Sequence, residues 1–140
     1  MIRQATMNDV NDICHLMEEL ENTHFKMEPF KKRFERVLED NAYDCVVYEQ
    51  EGKVVGMLTI LYKIPLHHEN DTMEIVEFCV DQEYRSRGIG GELLQYTEKM
   101  ATEKDLEQIE LCSKITRHRA HDFYKNHAFE MIRYNFTKDL

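Results

Sequence analysis

The chain has 140 residues, enough for one domain with a sizeable core. Its 18 Lys and Arg residues against 27 Asp and Glu residues give a net charge of −9, which argues against general nucleic-acid binding, because such binding depends on basic side chains. No apolar run is long enough to span a bilayer, and the first residues lack the layout of a secretory signal. We therefore expect one domain over residues 1–140, located in the cytoplasm, with no nucleic-acid or membrane partner.

The apolar periodicity predicts alternating helices and strands. Thr6 and Asp9 form a capping pair ahead of the first helix, Pro29 suits the start of the second, and Glu51-Gly52 forms the turn of a hairpin. In chain order, we expect a helix over 6–21, a helix over 27–39, a hairpin of strands 45–48 and 54–61, a buried strand over 74–80, a helix from near Gly91, a strand over 109–112, a helix over 117–126 and β structure over 129–137.

The four cysteines form no C-x-x-C pair and lie in apolar or strand-like surroundings. Free cysteine is usually a core residue, and the cytoplasm keeps thiols reduced. We therefore expect four buried, reduced thiols, at Cys14, Cys45, Cys79 and Cys112.

A glycine-rich loop stands between the strand over 74–80 and the following helix. The pattern Arg85-x-x-Gly88-x-Gly90 lets several backbone N–H groups point at one anion, and the helix behind it adds its positive end. The loop is not a dinucleotide fingerprint, because Leu93 stands at the third glycine position, and no Gly-Lys-Ser/Thr follows as in a Walker A motif. The pattern alone leaves two interpretations, a pyrophosphate site and an ordinary tight turn at a helix start.

Two separated motifs carry a resemblance to a known family. The run from Val80 to Leu94 resembles the Q/R-x-x-G-x-G/A motif of the GCN5-related N-acetyltransferase (GNAT) family, and Ala120 to Phe129 resembles its later A-x-x-F-Y-x-x-x-G-F segment. Ala128 stands where that segment usually has glycine. Within the family, Leu66-His67-His68 and the C-terminal segment make the chain similar to the small bacterial aminoalkylphosphonate N-acetyltransferases.

The resemblance implies an α/β (α+β) GNAT fold, with a mixed, mostly antiparallel central sheet, helices on both faces and central parallel strands that splay apart. It also implies acetyl-CoA as cosubstrate and direct acetyl transfer to a primary amine of a small molecule. By the same resemblance, the cofactor is bound by the backbone of Phe78, Cys79 and Val80 at the pantetheine arm and by Arg85, Ser86, Arg87, Gly88, Ile89, Gly90 and Gly91 at the pyrophosphate.

The catalytic groups follow from the same comparison. Tyr124 matches the position that donates a proton to the departing sulfur, and a phenol is protonated at neutral pH. Glu77 is the preferred general base, since burial on a central strand raises a carboxyl pKa, with Glu74 or a water relay as alternatives. A covalent route through Cys79 or Cys112 has no obvious activating base in the local sequence.

The acceptor is left open by the sequence. An aminoalkylphosphonate would need cations, offered by Lys63, Arg117 and Arg119, and His67 and His68 are further candidates for substrate or divalent-metal binding, together with His118 and His121. A polyamine, an aminoglycoside or a protein amine are alternatives, as is a non-catalytic acyl-CoA-binding regulatory module. Homodimerisation through the last strand and the His loop is a further hypothesis.

Overall fold

A five-stranded sheet is the framework of the computed structural model, which describes residues 1–140. The strands are β1 (Ile2–Gln4), β2 (Tyr43–Gln50), β3 (Lys53–Lys63), β4 (Thr72–Val80) and β5 (Ile109–Leu111). The helices are α1 (Val10–Glu21), α2 (Met27–Glu39), α3 (Ile89–Glu103) and α4 (His118–Asn126). The chain divides into two compact units, Met1–Glu110 and Leu111–Leu140. No helix combines the length and the apolar character that crossing a membrane requires.

The sheet has the order β1-β2-β3-β4-β5, and its first four strands are antiparallel. Near β5, Glu107 donates its N–H to Asp71, and Met73 donates its N–H to Gln108. Both partners advance in the same direction along the chain, so this segment runs parallel to β4, as a strand reached through a crossover helix does. The expected mixed, mostly antiparallel sheet is confirmed.

The β2–β3 hairpin turns at the predicted position. Glu51 and Gly52 both have left-handed backbone angles, with φ values of 53° and 77°. Two consecutive left-handed residues match the twist of the flanking strands. The pairing of β2 with β3 then runs from Gln50 and Lys53 at the turn to Tyr43 and Leu61 at the far end.

Helices cover both faces of the sheet. On one face, side chains of α1 and α2 pack against the strands in a core formed by Ile13, Leu16, Phe34, Cys45, Val47, Val54, Met57 and Cys79. On the other face, α3 approaches Gly56 of β3 so closely that an added Cβ would lie 3.1 Å from Leu93 and 3.2 Å from Ile89. Any larger residue at Gly56 would push α3 away from the sheet.

Three expectations need correction. Residues 129–137 form no strand, because a strand needs a hydrogen-bonded neighbour and the second unit contains none beyond the last residue of β5. Cys112 is exposed, since β5 ends at Leu111 and the next residue already belongs to a loop, whereas the other three cysteines are buried. The helix after the glycine loop begins at Ile89 and not near Gly91, because Gly88 is its N-cap.

Candidate active site

An irregularity in β4 places two glutamates on one face of the sheet. Thr59 pairs with Glu77, but its neighbour Ile60 pairs with Ile75, so Val76 is an extra residue in β4. In a regular strand, residues three apart point to opposite faces. The extra residue reverses this alternation, and Glu74 and Glu77 therefore share the face on which Thr59 lies.

Glu77 is held by the side chain of Thr59. The Thr59 hydroxyl accepts the backbone N–H of Glu77 at 3.0 Å and donates to its carboxylate oxygen Oε2. Thr59 is only 7% exposed, so this hydrogen-bond pair is largely shielded from water. Burial raises the pKa of the Glu77 carboxyl above its usual value, and the negative charges of Glu21 and Glu74 add to the effect, while Arg33 opposes it.

Glu74 has a different environment. Its carboxylate lies 3.2 Å from the ammonium of Lys63, which also contacts Glu110. The two carboxylates raise the pKa of Lys63, with Glu110 making the larger contribution. A carboxylate paired with an ammonium group is a weaker proton acceptor than a buried carboxylate without one. Of the two glutamates, Glu77 therefore has the surroundings of a general base.

A cavity of about 690 Å³ lies on this face of the sheet. Its floor includes Glu77, Thr59 and Met57, and its walls come from α1, α2 and the segment between them. The apolar lining includes Met17, Phe25, Phe30, Phe34 and Val37, and the charged lining consists of Lys26, Arg33, Arg36, Glu39, Asp40 and Glu77. The volume is in the range of small-molecule sites, and Glu77 is its buried acid.

The glycine loop has the backbone geometry of an anion site. Ser86 and Gly88 have left-handed backbone angles, with φ values of 63° and 85°, and Gly88 caps α3. The first turn of a helix contains N–H groups that the helix itself does not use, and the positive end of its dipole lies there. Arg85 is anchored by donating its Nε to the carbonyl of Val80 at 2.9 Å, and Arg87 lies over the ring of Tyr84.

The strand before the loop packs one of its predicted cofactor residues into the core. Cys79 is 4% exposed, and its Sγ lies 3.4 Å from the carbonyl oxygen of Leu16 in α1. Phe78 and Val80, on either side of it, are half-buried. A role for these three residues at a pantetheine arm would therefore involve their main chain. A buried, packed thiol also gives no support to a covalent route through Cys79.

The second unit contains Tyr124 near the end of α4. The tyrosine is half-buried, and its ring lies 5.9 Å from the ring of Phe129 between centroids. Phe129 donates its N–H to the carbonyl of Tyr124 at 3.0 Å, and Ala128 donates to Lys125 at 3.2 Å. These two bonds and the Tyr124–Phe129 contact form a Schellman motif, with Ala128 at its left-handed position, φ 66°. Glycine is the residue best suited to that position.

The predicted substrate residues lie in two places. His67 and His68 are in the loop between β3 and β4, where His68 contacts Glu107 at 2.6 Å, and neither lines the cavity. Arg117 precedes α4 in the second unit, one turn before His121, whose ring nitrogen lies 2.8 Å from the carbonyl of Lys114. The three converging metal-ligand candidates in residues 1–140 are His15, Glu19 and Asp81, a set that contains none of the predicted histidines.

Two residues of the cavity were missed by sequence reasoning. Arg33 lies on α2 beside the apolar stripe of Phe30, Phe34 and Val37, and this flanking position was a signal that it could line whatever α2 covers. Thr59 has no such signal, because an isolated threonine in a strand is an ordinary residue. Only its pairing with Glu77 gives it significance.

Comparison with known proteins identifies the class. The model of the acetyltransferase (GNAT) family matches residues 10–129, and the chain belongs to that family. A relative of 32% identity, spanning 99% of this chain and 90% of that protein, is the aminoalkylphosphonate N-acetyltransferase of Salmonella typhimurium. An amino-acid acetyltransferase of Pseudomonas fluorescens is 28% identical over 93% of this chain, but this chain spans only 27% of that protein's length.

Solved structures confirm the fold. A transcriptional regulator from Bacillus halodurans superposes with a TM-score of 0.93 at 20% identity, covering 100% of this chain and 99% of that one. An aminoglycoside acetyltransferase from an uncultured soil metagenomic sample has a TM-score of 0.88 at 25% identity, covering 100% and 95%. With the family match and the curated relatives, these results define an N-acetyltransferase enzyme of a family that uses acetyl-CoA as cosubstrate.

Proposed function

We propose that the chain transfers the acetyl group of acetyl-CoA directly to the primary amine of a small molecule, with Glu77 as general base and Tyr124 as general acid. The observation that carries the proposal is the position of Glu77, a buried carboxylate on the floor of the cavity, fixed by Thr59 and with a raised pKa. Raising a carboxyl pKa brings it closer to neutrality, where a base can both accept and release a proton.

The proposed reaction balances without a covalent enzyme intermediate. Glu77 takes a proton from the acceptor nitrogen, directly or through a water. The nitrogen forms a bond to the thioester carbonyl carbon, and the carbon–sulfur bond breaks. Tyr124 gives a proton to the departing sulfur, so the net change moves one proton from nitrogen to sulfur. We assign the pyrophosphate to the segment from Arg85 to Gly91, whose turn geometry and helix start suit an anion.

We further propose an aminoalkylphosphonate as acceptor. Support comes from the relative named for that substrate, which aligns with nearly the whole chain. The second relative is named for amino acids, and both names describe an amine that carries an acidic group. An aminoglycoside is the competing candidate, suggested by a structural neighbour of 25% identity, and it would be polycationic.

The test is thiol release from acetyl-CoA with a panel of aminoalkylphosphonates, amino acids, polyamines and aminoglycosides. We expect Glu77→Gln to lower kcat/KM by about 10²- to 10⁴-fold near neutral pH, with a smaller loss at high pH, where free amine is abundant. Tyr124→Phe should give a loss of similar size without weakening acetyl-CoA binding. Glu74→Gln is the matched control, because Glu74 lies on the same strand and face but is paired with Lys63.

Two outcomes would contradict the assignment. One is full activity of Glu77→Gln over the whole pH range, and the other is a larger loss in Glu74→Gln than in Glu77→Gln. Misfolding is not expected to confuse the result, because burial disfavours the charged carboxylate and a neutral amide at position 77 removes that cost. Thermal unfolding of each variant checks this point.

We also propose that the protein forms a homodimer through its C-terminal segment. Met131, Tyr134 and Phe136 are 78%, 91% and 90% exposed, a concentration of apolar surface that soluble monomers seldom present. Light scattering at micromolar concentration tests the proposal. A monomeric mass at every concentration would contradict it.

A further inference from the structure

The cavity has a cationic wall that no carboxylate neutralises. Lys26, Arg33 and Arg36 line it from the segment before α2 and from α2 itself, and none of the three forms a side-chain ion pair within the described chain. By contrast, Arg3 and Lys63 each contact two carboxylates. In a chain of net charge −9, cations without a partner at the side of a cavity are a specific feature, because long-range attraction does not favour an anion here.

Arg33 is the cation best placed relative to Glu77. It is the positively charged residue whose electrostatic effect reaches the Glu77 carboxyl. Arg36 lies one turn nearer the end of α2, where Glu39 and Asp40 also line the cavity and would repel an anion. Arg33 thus belongs to the α2 wall and Glu77 to the sheet floor. A ligand that spans the two would present a nitrogen to Glu77 and an anionic group to Arg33.

We propose that Arg33 binds an anionic group of the acceptor, so that the enzyme selects small amines with a phosphonate or carboxylate a few bonds from the nitrogen. A guanidinium group offers parallel donors that match the oxygens of either acid in a bidentate contact. The inference rests on the proposed function, because it names the acceptor class of the Glu77 cavity. It makes Arg33 a residue that determines specificity and gives it no part in proton transfer.

The experiment compares acceptors that share an amine and differ in the second group. 2-Aminoethylphosphonate and β-alanine carry an acid, ethanolamine carries a neutral hydroxyl, and 1,3-diaminopropane carries a second cation. Each is assayed with wild type, Arg33→Gln, Arg33→Lys and Lys31→Gln. Lys31 is the matched control, because it lies on α2, is exposed and does not line the cavity. Methylphosphonate, which has no amine, is added as a competitive inhibitor to report anion binding without turnover.

We expect Arg33→Gln to lower kcat/KM for the two acidic acceptors by about 10- to 100-fold and to change the neutral acceptor by less than about threefold, since a hydrogen bond to a charged group is lost only with the acid. Arg33→Lys should recover part of the loss, and inhibition by methylphosphonate should weaken in Arg33→Gln alone. The ratio between acceptors isolates this effect, because any change in the pKa of Glu77 acts on all acceptors equally.

The failure of this inference and the failure of the proposed function give different results. If wild type acetylates ethanolamine or the diamine as well as the acidic amines, or if Arg33→Gln affects all acceptors equally, the role of Arg33 is refuted while amine acetylation stands. If wild type binds acetyl-CoA but acetylates no amine of either panel, the proposed function is refuted and the inference about Arg33 is refuted with it. Phosphonate and carboxylate are separated by the relative kcat/KM of the two acidic acceptors.

Discussion

Replacing Thr59 by valine tests whether the contact between Thr59 and Glu77 organises the active site. Valine has nearly the same shape, so it fills the same space in β3 but removes the hydroxyl that accepts the Glu77 N–H at 3.0 Å and donates to its carboxylate. A neutral hydrogen bond contributes about 1 kcal/mol and one to a charged group about 1.5 to 3 kcal/mol. We therefore expect the free energy of unfolding to fall by about 2 to 4 kcal/mol.

The same substitution should change the pH dependence of catalysis. The hydroxyl stabilises the charged carboxylate, so its removal raises the pKa of Glu77 further, in the direction that burial already gives. The acid limb of the kcat/KM profile should then move to higher pH, whereas a purely structural effect would lower the rate without moving the limb. Thr59→Ser keeps the hydroxyl and should keep the wild-type limb.

Chemical denaturation and pH–rate profiles of the two variants provide the measurement. The reasoning is refuted if Thr59→Val unfolds at the same denaturant concentration as wild type and retains its pH profile. It is equally refuted if Thr59→Ser and Thr59→Val behave alike, because the hydroxyl would then have no distinct role. Acetyl-CoA affinity serves as a control and should be unchanged, since Thr59 lies on β3 and not in the glycine loop.

Three further predictions concern other parts of the chain. Gly88→Ala should destabilise the protein by about 1 to 2 kcal/mol, since φ is 85° and nothing lies within 4 Å of an added Cβ, and acetyl-CoA titration should show weaker binding; an unchanged melting temperature would contradict this. Ala128→Gly should stabilise it by about 0.5 to 1 kcal/mol, because relief of the left-handed strain exceeds the added freedom of the unfolded chain; denaturant midpoints decide, and a loss of stability would argue against the strain. Arg3→Gln should cost about 1 to 2 kcal/mol at neutral pH, because Arg3 hydrogen-bonds Asp9 at 2.8 and 2.9 Å and lowers its pKa. That stability is present above the unfolded-state pKa of about 3.9 and is lost as the pH falls through the lower folded-state value, so wild type and variant should converge in acid; a constant difference would refute the role of the Asp9 charge.

Local periodicity was sufficient for the helices and most strands. The span predicted for the second helix, 27–39, matches α2, and the Glu51-Gly52 turn lies where the sequence predicts it. These features depend on residues near one another in the chain, whose spacing, capping and turn preferences are encoded locally. The final segment failed for the opposite reason. Its alternating apolar residues favour a strand, but a strand also needs a hydrogen-bonded neighbour, which no local pattern supplies.

The candidate site divides in the same way. The sequence by itself determined the glycine loop and the candidate glutamates, because a turn that needs glycine and an acid in an apolar strand are visible in a short stretch of residues. Only the tertiary structure decided between Glu74 and Glu77, because the extra residue in β4 puts both on one face and Lys63, from the neighbouring strand, pairs with Glu74 alone. It also brought Arg33 to the cavity that contains Glu77, two residues 44 positions apart whose proximity follows from packing α2 against the sheet.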